Sequence, residues 1–309
     1  MKNSPCILVT GSDLASEALE MLANYQIVFA GSAPTEEVLI ALCEKHQPLA
    51  IIVRYGKISA RIMDASPALR VISKHGSGID VIDQAAAAKR QIRVCSAPGA
   101  NAAAVAEHTW AMILACAKSV RRLDHRLKQG HWDKATHKSV ELEGRILGLI
   151  GLGAIGQRVA AIGRAIGMQV IAYDPWAKTF PEECKSVGFN QLLQCADVIS
   201  LHCPLTDQNR QMINHEALSL CKPGTILVNT ARGGLIDENA LVQALQDGTI
   251  SSAALDSFTT EPLTAPHRWQ QMDNVLVSPH IAGVSDASYI KMATVAAKNV
   301  LDVISETVN

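Results

Sequence analysis

Twice along the chain, short runs rich in valine and isoleucine alternate with longer segments of helical period. The first series reads CILVT, SDLASEALEMLANY, QIVFA, TEEVLIALCEKH and LAIIVRYG, then LRVISKHGSGID, DVIDQAAAAKRQ and IRVCSA. Apolar side chains recur every second residue on a strand and about every 3.6 on a helix, so each change of period marks an element boundary. Repeated strand-helix-strand order specifies a parallel sheet flanked by helices. The second series starts at RILGLIG and runs through MQVIAYD, NQLLQCA, DVISLHCPL, HEALSLCK, TILVNTARG, ENALVQALQDG and SSAALDSF to NVLVSPH. At 309 residues the chain exceeds what one core usually holds, so the sequence predicts two α/β domains with largely parallel sheets.

The segments between and after the two series have their own character. The first closes at Pro98-Gly99, after which Asn101 is placed to cap the apolar helix AAAVAEHTWAMILACAKSV, read as a spine. The following RRLDHRLKQGHWDKATHKSVELEG is polar and loses clear period, which predicts a protruding arm. After Gly283 comes an amphipathic helix, DASYIKMATVAAKNVLDVISETV, with no strand behind it. Such a helix must dock on a sheet made by other residues.

Composition excludes several function classes. With 28 basic and 29 acidic residues there is no polybasic footprint for nucleic acid or an anionic membrane. The longest apolar runs are broken well before the roughly 18 residues a spanning helix needs, and the N-terminus lacks a leader pattern. The eight cysteines are scattered, with no paired spacing, and read as reduced thiols. These features together predict a cytoplasmic protein with a small-molecule partner. His125, His131 and His137 recur at an interval that suits neither a helix face nor a zinc site, so no metal is expected.

Gly151, Gly153 and Gly156 follow the buried-strand run ILGLI and open a helix, AIGQRVAAIGRAIG. In that context glycines allow a tight turn and a close approach to a pyrophosphate, while the amides of the helix N-terminus, Ala154 and Ile155 among them, face the anion. Asp174 ends the next strand about 20 residues on, where a carboxylate accepts from an adenosine ribose. A carboxylate there repels a 2′-phosphate, so NAD is favoured over NADP; only Lys178 nearby weighs the other way.

Three later loops each end a strand and each carry a chemically useful side chain: Arg232 in VNTARGGLID, Glu261 in DSFTTEP and His280 in SPHIAG. Ligands of open parallel sheets bind outside the strand C-termini. Arg232 offers a fork of donors suited to a carboxylate and its neighbouring carbonyl. His280 can exchange a proton near neutral pH, and a carboxylate such as Glu261 beside it stabilises the imidazolium form. Taken singly, each has a bland alternative: a surface charge, a helix-start acid, a core-edge histidine. Beside a dinucleotide site the set suffices for ketone-alcohol interconversion.

GLGAIG, HCPLTDQNRQMI, VNTARGGLID, DSFTTEP and SPHIAG resemble, in order and spacing, the motifs of the D-isomer-specific 2-hydroxyacid dehydrogenase family, and NAAAVAEHT resembles its interdomain helix. The resemblance implies that Arg232 binds substrate, Glu261 supports, and His280 is the acid/base. It adds His202, Pro204, Thr230, Ala231 and Asp256 to the cofactor contacts, and implies a homodimer gripping through the arm, 119–143. It further implies a flavodoxin-like substrate domain, 1–99 with 284–309, into which a Rossmann-like NAD domain, 100–283, is inserted. Ser257 departs from the family, which usually has a β-branched apolar residue there, and a local packing change is expected.

KHGSGID places two glycines around Ser77 at a strand end, leaving amides free to hold an anion. The resemblance implies that Ser77 and Gly78 take the substrate carboxylate. It is closest to the phosphoglycerate dehydrogenase branch, with Arg54 and Lys74 where that branch has cations near the substrate's far end; alternatively both are solvated strand-end charges. Candidate substrates are therefore 3-phosphoglycerate and 3-phosphohydroxypyruvate, then glyoxylate, hydroxypyruvate or another 2-ketoacid. The sequence stops after the docking helix, and no appended regulatory domain is expected. The rival from another class is a non-catalytic NAD(H)-sensing protein resembling the corepressors of this fold. Cys203, beside His202, is not expected to act as a nucleophile, because hydride chemistry needs no covalent step.

Overall fold

The computed structural model describes residues 4–306; residues 1–3 and 307–309, which include the end of the segment read as the last helix, lie outside it. The chain divides into two compact units, Met1–Asn101 with Val284–Asn309, and Ala102–Gly283.

The first unit is a five-stranded parallel sheet in the order β2-β1-β3-β4-β5, built from β1 (Cys6–Val9), β2 (Gln26–Phe29), β3 (Ala50–Val53), β4 (Val71–Lys74) and β5 (Arg93–Cys95). Its crossovers are α1 (Ser16–Met21), α2 (Glu36–His46), α3 (Ala60–Asp64) and α4 (Gln84–Lys89). Thr35 and Asp83 cap α2 and α4 by accepting from the backbone amides of Val38 and Ala86. The strands CILV and AIIV are buried on both faces, as expected for a sheet covered by helices on each side. One of those layers is supplied from far along the chain. The C-terminal helix Asp286–Glu306 packs its Ala293, Ala296, Ala297 and Val300 against Ile7, Val9, Ala50 and Ile52. Small alanines on its inner face let helix and sheet approach closely.

The second unit begins with α5 (Ala102–Ala117) and α6 (Val120–Lys128). A seven-stranded parallel sheet follows, in the order β12-β11-β10-β9-β6-β7-β8. Its strands are β6 (Ile146–Ile150), β7 (Gln169–Tyr173), β8 (Cys184–Ser186), β9 (Val198–Leu201), β10 (Thr225–Asn229), β11 (Ile250–Leu255) and β12 (Val275–Val277), with α7 (Ala154–Ala165), α8 (Phe189–Cys195), α9 (His215–Ser219) and α10 (Glu238–Asp247) between them. The strand order reverses between β6 and β9, so the crevice for a ligand lies at the ends of those two strands. The spine helix α5 belongs to this unit: Trp110 is buried and its indole donates to the Val159 carbonyl of α7 at 3.1 Å. Asn101, expected to cap α5, accepts the Ser77 hydroxyl at 3.2 Å.

The structure differs from the reading of the arm. Residues 120–128 form a helix, because Val120, Leu123 and Leu127 recur at helical spacing along one side while the positions between them are polar or charged. No residue of α6 is buried, and Trp132 just beyond it is 77% exposed. Among the described residues, no helix is long and apolar enough to cross a membrane, and all eight cysteines are free thiols.

Candidate active site

The glycine turn is built by three different constraints. Gly151 has φ +97°, and a Cβ there would meet the backbone of His202 and Cys203 at 2.7 Å. A Cβ on Gly156 would stand 2.3 Å from the Gly151 carbonyl oxygen, so the first turn of α7 closes tightly on the loop. Gly153, the residue that caps α7, has nothing within 4 Å of such an atom. The turn is therefore closed toward the protein and open in front of the helix N-terminus, where the amide dipoles favour an anion. Asp174 follows β7 directly; its Oδ2 accepts from Leu152 N at 2.7 Å and its Oδ1 from Trp176 N at 2.9 Å. The acid expected at a ribose thus also ties the turn to the strand end. A pyrophosphate and an adenosine ribose fit these groups, because the open position, the amide donors and the carboxylate lie in one loop system.

Behind the turn, His202 donates or accepts at Nε2 with Ser200 Oγ at 2.9 Å, while its Nδ1 is buried without a partner among the described residues. Burial pushes its imidazole down to about 3, so it is neutral at any ordinary pH. Its ring is tied to Ser200, while its own backbone carbonyl faces the bare α-carbon of Gly151. Burial likewise raises the Cys203 thiol to about 11, which leaves it un-ionised and unsuited to nucleophilic work.

Glu261 and His280 come from loops after β11 and β12 and meet at 2.7 Å through Oε2 and Nδ1. The other carboxylate oxygen, Oε1, accepts from Phe258 N at 2.8 Å. Burial pushes the Glu261 carboxyl up. The hydrogen bonds from His280 and Phe258, with the attraction of His280 and Arg232, outweigh that push and hold it below its ordinary value. Arg232 follows β10 in extended backbone (φ −141°, ψ 136°). One guanidinium nitrogen donates to the Ala231 carbonyl at 2.8 Å, and the group lies near enough for Glu261 to feel its charge. His280 itself has φ +51°, a conformation that costs a non-glycine residue about 1 kcal/mol or more and persists only where neighbours enforce it.

In the first unit the loop Lys74–Gly78 leaves the end of β4, and the Ser77 hydroxyl donates to the Ala97 carbonyl at 3.1 Å. Lys74 Nζ donates to the carbonyls of Val53 and Arg54 at 3.2 and 2.9 Å. Arg54 is not a solvated strand-end charge: its side chain is 10% exposed and is ion-paired with Asp13.

The sequence pattern described as "D-isomer specific 2-hydroxyacid dehydrogenase, NAD binding domain" matches residues 110–282. The chain belongs to the D-isomer specific 2-hydroxyacid dehydrogenase family. It is 39% identical to a hydroxypyruvate reductase of Thermotoga maritima over 89% of this chain and 90% of that protein. It is 38% identical to a D-3-phosphoglycerate dehydrogenase of Methanocaldococcus jannaschii over 96% of this chain, but spans only 57% of that longer relative. A crystal structure of D-lactate dehydrogenase from Aquifex aeolicus complexed with NAD and lactic acid superposes with a TM-score of 0.85, at 31% identity, covering 97% of this chain and 96% of that one. The cofactor of this family member is NAD, and the second unit carries the matched NAD binding domain.

The dehydrogenase holds its three loops with residues that no motif singled out for that work. Asp256, 1% exposed, accepts from Ser278 Oγ at 2.5 Å, Ile281 N at 2.9 Å and Ala282 N at 2.8 Å, so its carboxylate brackets His280 on both sides. With its proton committed to Asp256, the Ser278 hydroxyl is left as acceptor for His108 Nε2 at 3.0 Å. Asn229 clamps the Arg232 loop, accepting from Ala231 N at 3.0 Å and donating to Arg232 O at 2.9 Å. A Cβ on Gly233 would fall 2.0 Å from the Phe258 carbonyl carbon, so the Arg232 and Glu261 loops touch backbone to backbone. Thr230, expected at the cofactor, has its hydroxyl 2.8 Å from that of Thr109 on α5. Ser257 is buried and its hydroxyl has no partner among the described residues; Pro204 and Ala231 lie in the loops after β9 and β10.

Proposed function

We propose that the protein interconverts a D-2-hydroxyacid and its 2-ketoacid, with His280 as acid/base, Glu261 as its support and Arg232 as the substrate-binding cation. The 2.7 Å contact between Glu261 and His280 beside Arg232, in a unit of the NAD-binding class, carries this reading. NAD, when bound, supplies or accepts the hydride at its nicotinamide ring. Arg232 binds the acid through its carboxylate and polarises the adjacent carbonyl. Nδ1 of His280 is held by Glu261, so Nε2 is the nitrogen that gives a proton to the substrate oxygen in reduction and takes it back in oxidation. Glu261 stabilises the imidazolium that precedes proton donation. Gly151, Gly153, Ala154, Ile155, Gly156 and Asp174 would hold the pyrophosphate and ribose, with His202, Pro204, Thr230, Ala231 and Asp256 around the rest of the cofactor. Ser77 and Gly78 offer amides to the substrate carboxylate.

The candidate acids are 3-phosphohydroxypyruvate, hydroxypyruvate, glyoxylate and other 2-ketoacids. A panel of these with 2-oxoglutarate, each with NADH and NADPH, tests the reading. Oxidation of NADH is expected with at least one acid, and loss of about 100-fold or more in His280→Ala. Turnover that survives that substitution, or no turnover of any acid, refutes it; the latter outcome favours the NAD(H)-sensing alternative. The exposed Trp132 and the leucines of α6 support the further proposal of a homodimer formed through the arm, and eight free thiols support a cytoplasmic setting.

A further inference from the structure

At the strand ends of the first unit, Arg54 sits in a purpose-built recess. A Cβ on Gly11 would lie 3.0 Å from Arg54 Cδ, so the arginine stem runs across the bare backbone of Gly11. Thr10 Oγ1 accepts from Arg54 N at 3.0 Å and donates to Tyr55 O at 2.6 Å, fixing the backbone on either side. The rings of Tyr55 and Tyr289 lie 5.2 and 5.1 Å from the guanidinium carbon, within the range of a cation-π contact. Val53 pairs with Lys74, so Arg54 and His75 leave adjacent strands side by side, and the Tyr289 ring reaches both, 5.6 Å from His75. The recess therefore adjoins the loop Lys74–Gly78.

A guanidinium this buried needs a counter-charge. Asp13 provides it: Arg54 Nη1 donates to the Asp13 carbonyl at 2.6 Å and to its carboxylate, and the Tyr289 hydroxyl donates to Asp13 Oδ2 at 2.6 Å. The hydrogen bonds from Tyr289 and Arg54 outweigh desolvation and hold the Asp13 carboxyl below its ordinary value. Burial, with the nearby charges of Arg54 and Lys74, pushes His75 down to about 4, so it adds no positive charge at neutral pH. Of the ion pair, the arginine is the hidden partner at 10% side-chain exposure and the aspartate the accessible one at 57%. A ligand reaching this recess meets a carboxylate first.

We propose that Asp13 is a specificity-determining residue. By neutralising Arg54 and presenting its own negative charge, it directs the enzyme to 2-hydroxyacids with an uncharged far end, of the glycerate and glycolate type, and against their phosphoesters. The inference rests on the dehydrogenase reading above and on the loop Lys74–Gly78 taking the substrate carboxylate. It reverses the expectation that Arg54 invites a second anion: the arginine is present, but its charge is already spent within the unit.

Calorimetric binding of D-glycerate and of 3-phospho-D-glycerate to the NAD-loaded protein tests it, because the two ligands differ only in the phosphate. The wild type is expected to bind D-glycerate the more tightly. Asp13→Asn and Asp13→Ala are expected to move the ratio of the two affinities by about tenfold or more toward the phosphoester, as removal of one charge a few ångströms from a dianion implies. Asp64→Asn removes a carboxylate of the same unit that pairs with Arg90 at the surface; it is expected to leave the ratio where it is. A tighter phosphoester complex in the wild type, an unchanged ratio in both Asp13 variants, or an equal shift in Asp64→Asn overturns the proposal. Ketoacid turnover is measured on the same samples: its absence alongside the expected binding ratios strikes the dehydrogenase reading and leaves the role of Asp13 standing.

Discussion

Glu261 touches His280 with one carboxylate oxygen and the backbone amide of Phe258 with the other. The imidazole is thereby aimed by a group that is itself fixed. Glu261→Gln keeps the shape and an acceptor but removes the charge that favours imidazolium. We expect kcat/KM for the best ketoacid to fall about 100-fold, with the dissociation constant for NADH within a factor of about two. Steady-state kinetics with a fluorescence titration of NADH checks this; a variant as active as the wild type would mean that the carboxylate charge is idle.

Asp256 holds a strained histidine in place from beneath. Asp256→Asn puts an amide against at least one of the three donors it now receives, leaving buried groups unpaired. Loss of roughly 2–3 kcal/mol in unfolding free energy is expected, together with a fall in kcat larger than any rise in KM. Urea melts and kinetics on one preparation separate the two effects. Ser278→Ala, which removes one hydroxyl donor, is expected to cost less than half as much.

Two glycines in one turn predict opposite failures. Gly156→Ala forces a methyl to within 2.3 Å of the Gly151 oxygen, so the turn must shift, and the melting temperature should drop by several degrees, as overpacking of about 1–3 kcal/mol implies. Gly153→Ala meets no protein atom and should melt like the wild type, yet bind NADH about tenfold more weakly or worse, because its methyl occupies the approach to the phosphates. Undiminished NADH binding in Gly153→Ala would show that the pyrophosphate lies elsewhere.

Acid should unfold the protein in part through His202. Burial lowers its folded value from 6.5 to about 3, so the unfolded chain takes up a proton first as pH falls. The sign is that of a depressed group: stability is full above 6.5 and is lost as pH falls toward 3. Each such histidine contributes a slope of about 1.4 kcal/mol per pH unit inside its window; His75, depressed to about 4, acts the same way in the first unit. Urea melts between pH 6.5 and 4.5 are expected to show a shallower decline in His202→Gln. An identical decline would place the proton uptake on other groups.

Both parallel sheets were legible because buried strands and amphipathic helices differ in period. What escaped had little period to offer. β8 is the three residues CKS, of which only Cys184 is buried, and α3 is a five-residue helix between two strands. Arg232, Glu261 and His280 could be singled out because each lies in a loop that follows a strand of a parallel sheet. Their braces could not: Asp256 and Ser278 are 22 positions apart, and nothing in either neighbourhood announces that one will hold the other. Asn229, at the end of β10 before a turn, carried a faint local signal in its residue type. Arg54 shows the limit most clearly, since its charge was legible and its neutralisation by Asp13, 41 positions away, was not.

The first unit draws one layer of its core from residues 286–306, while the second is continuous from 102 to 283. During synthesis the strands of the first unit are therefore made well before their cover, and Ile7, Val9 and Ile52 stay bare until residues 286–306 follow them out of the ribosome. The nucleotide-binding unit can mature while its older neighbour is still open. In that interval one face of the first sheet is bare apolar surface, the kind of transient exposure that makes folding intermediates prone to aggregate.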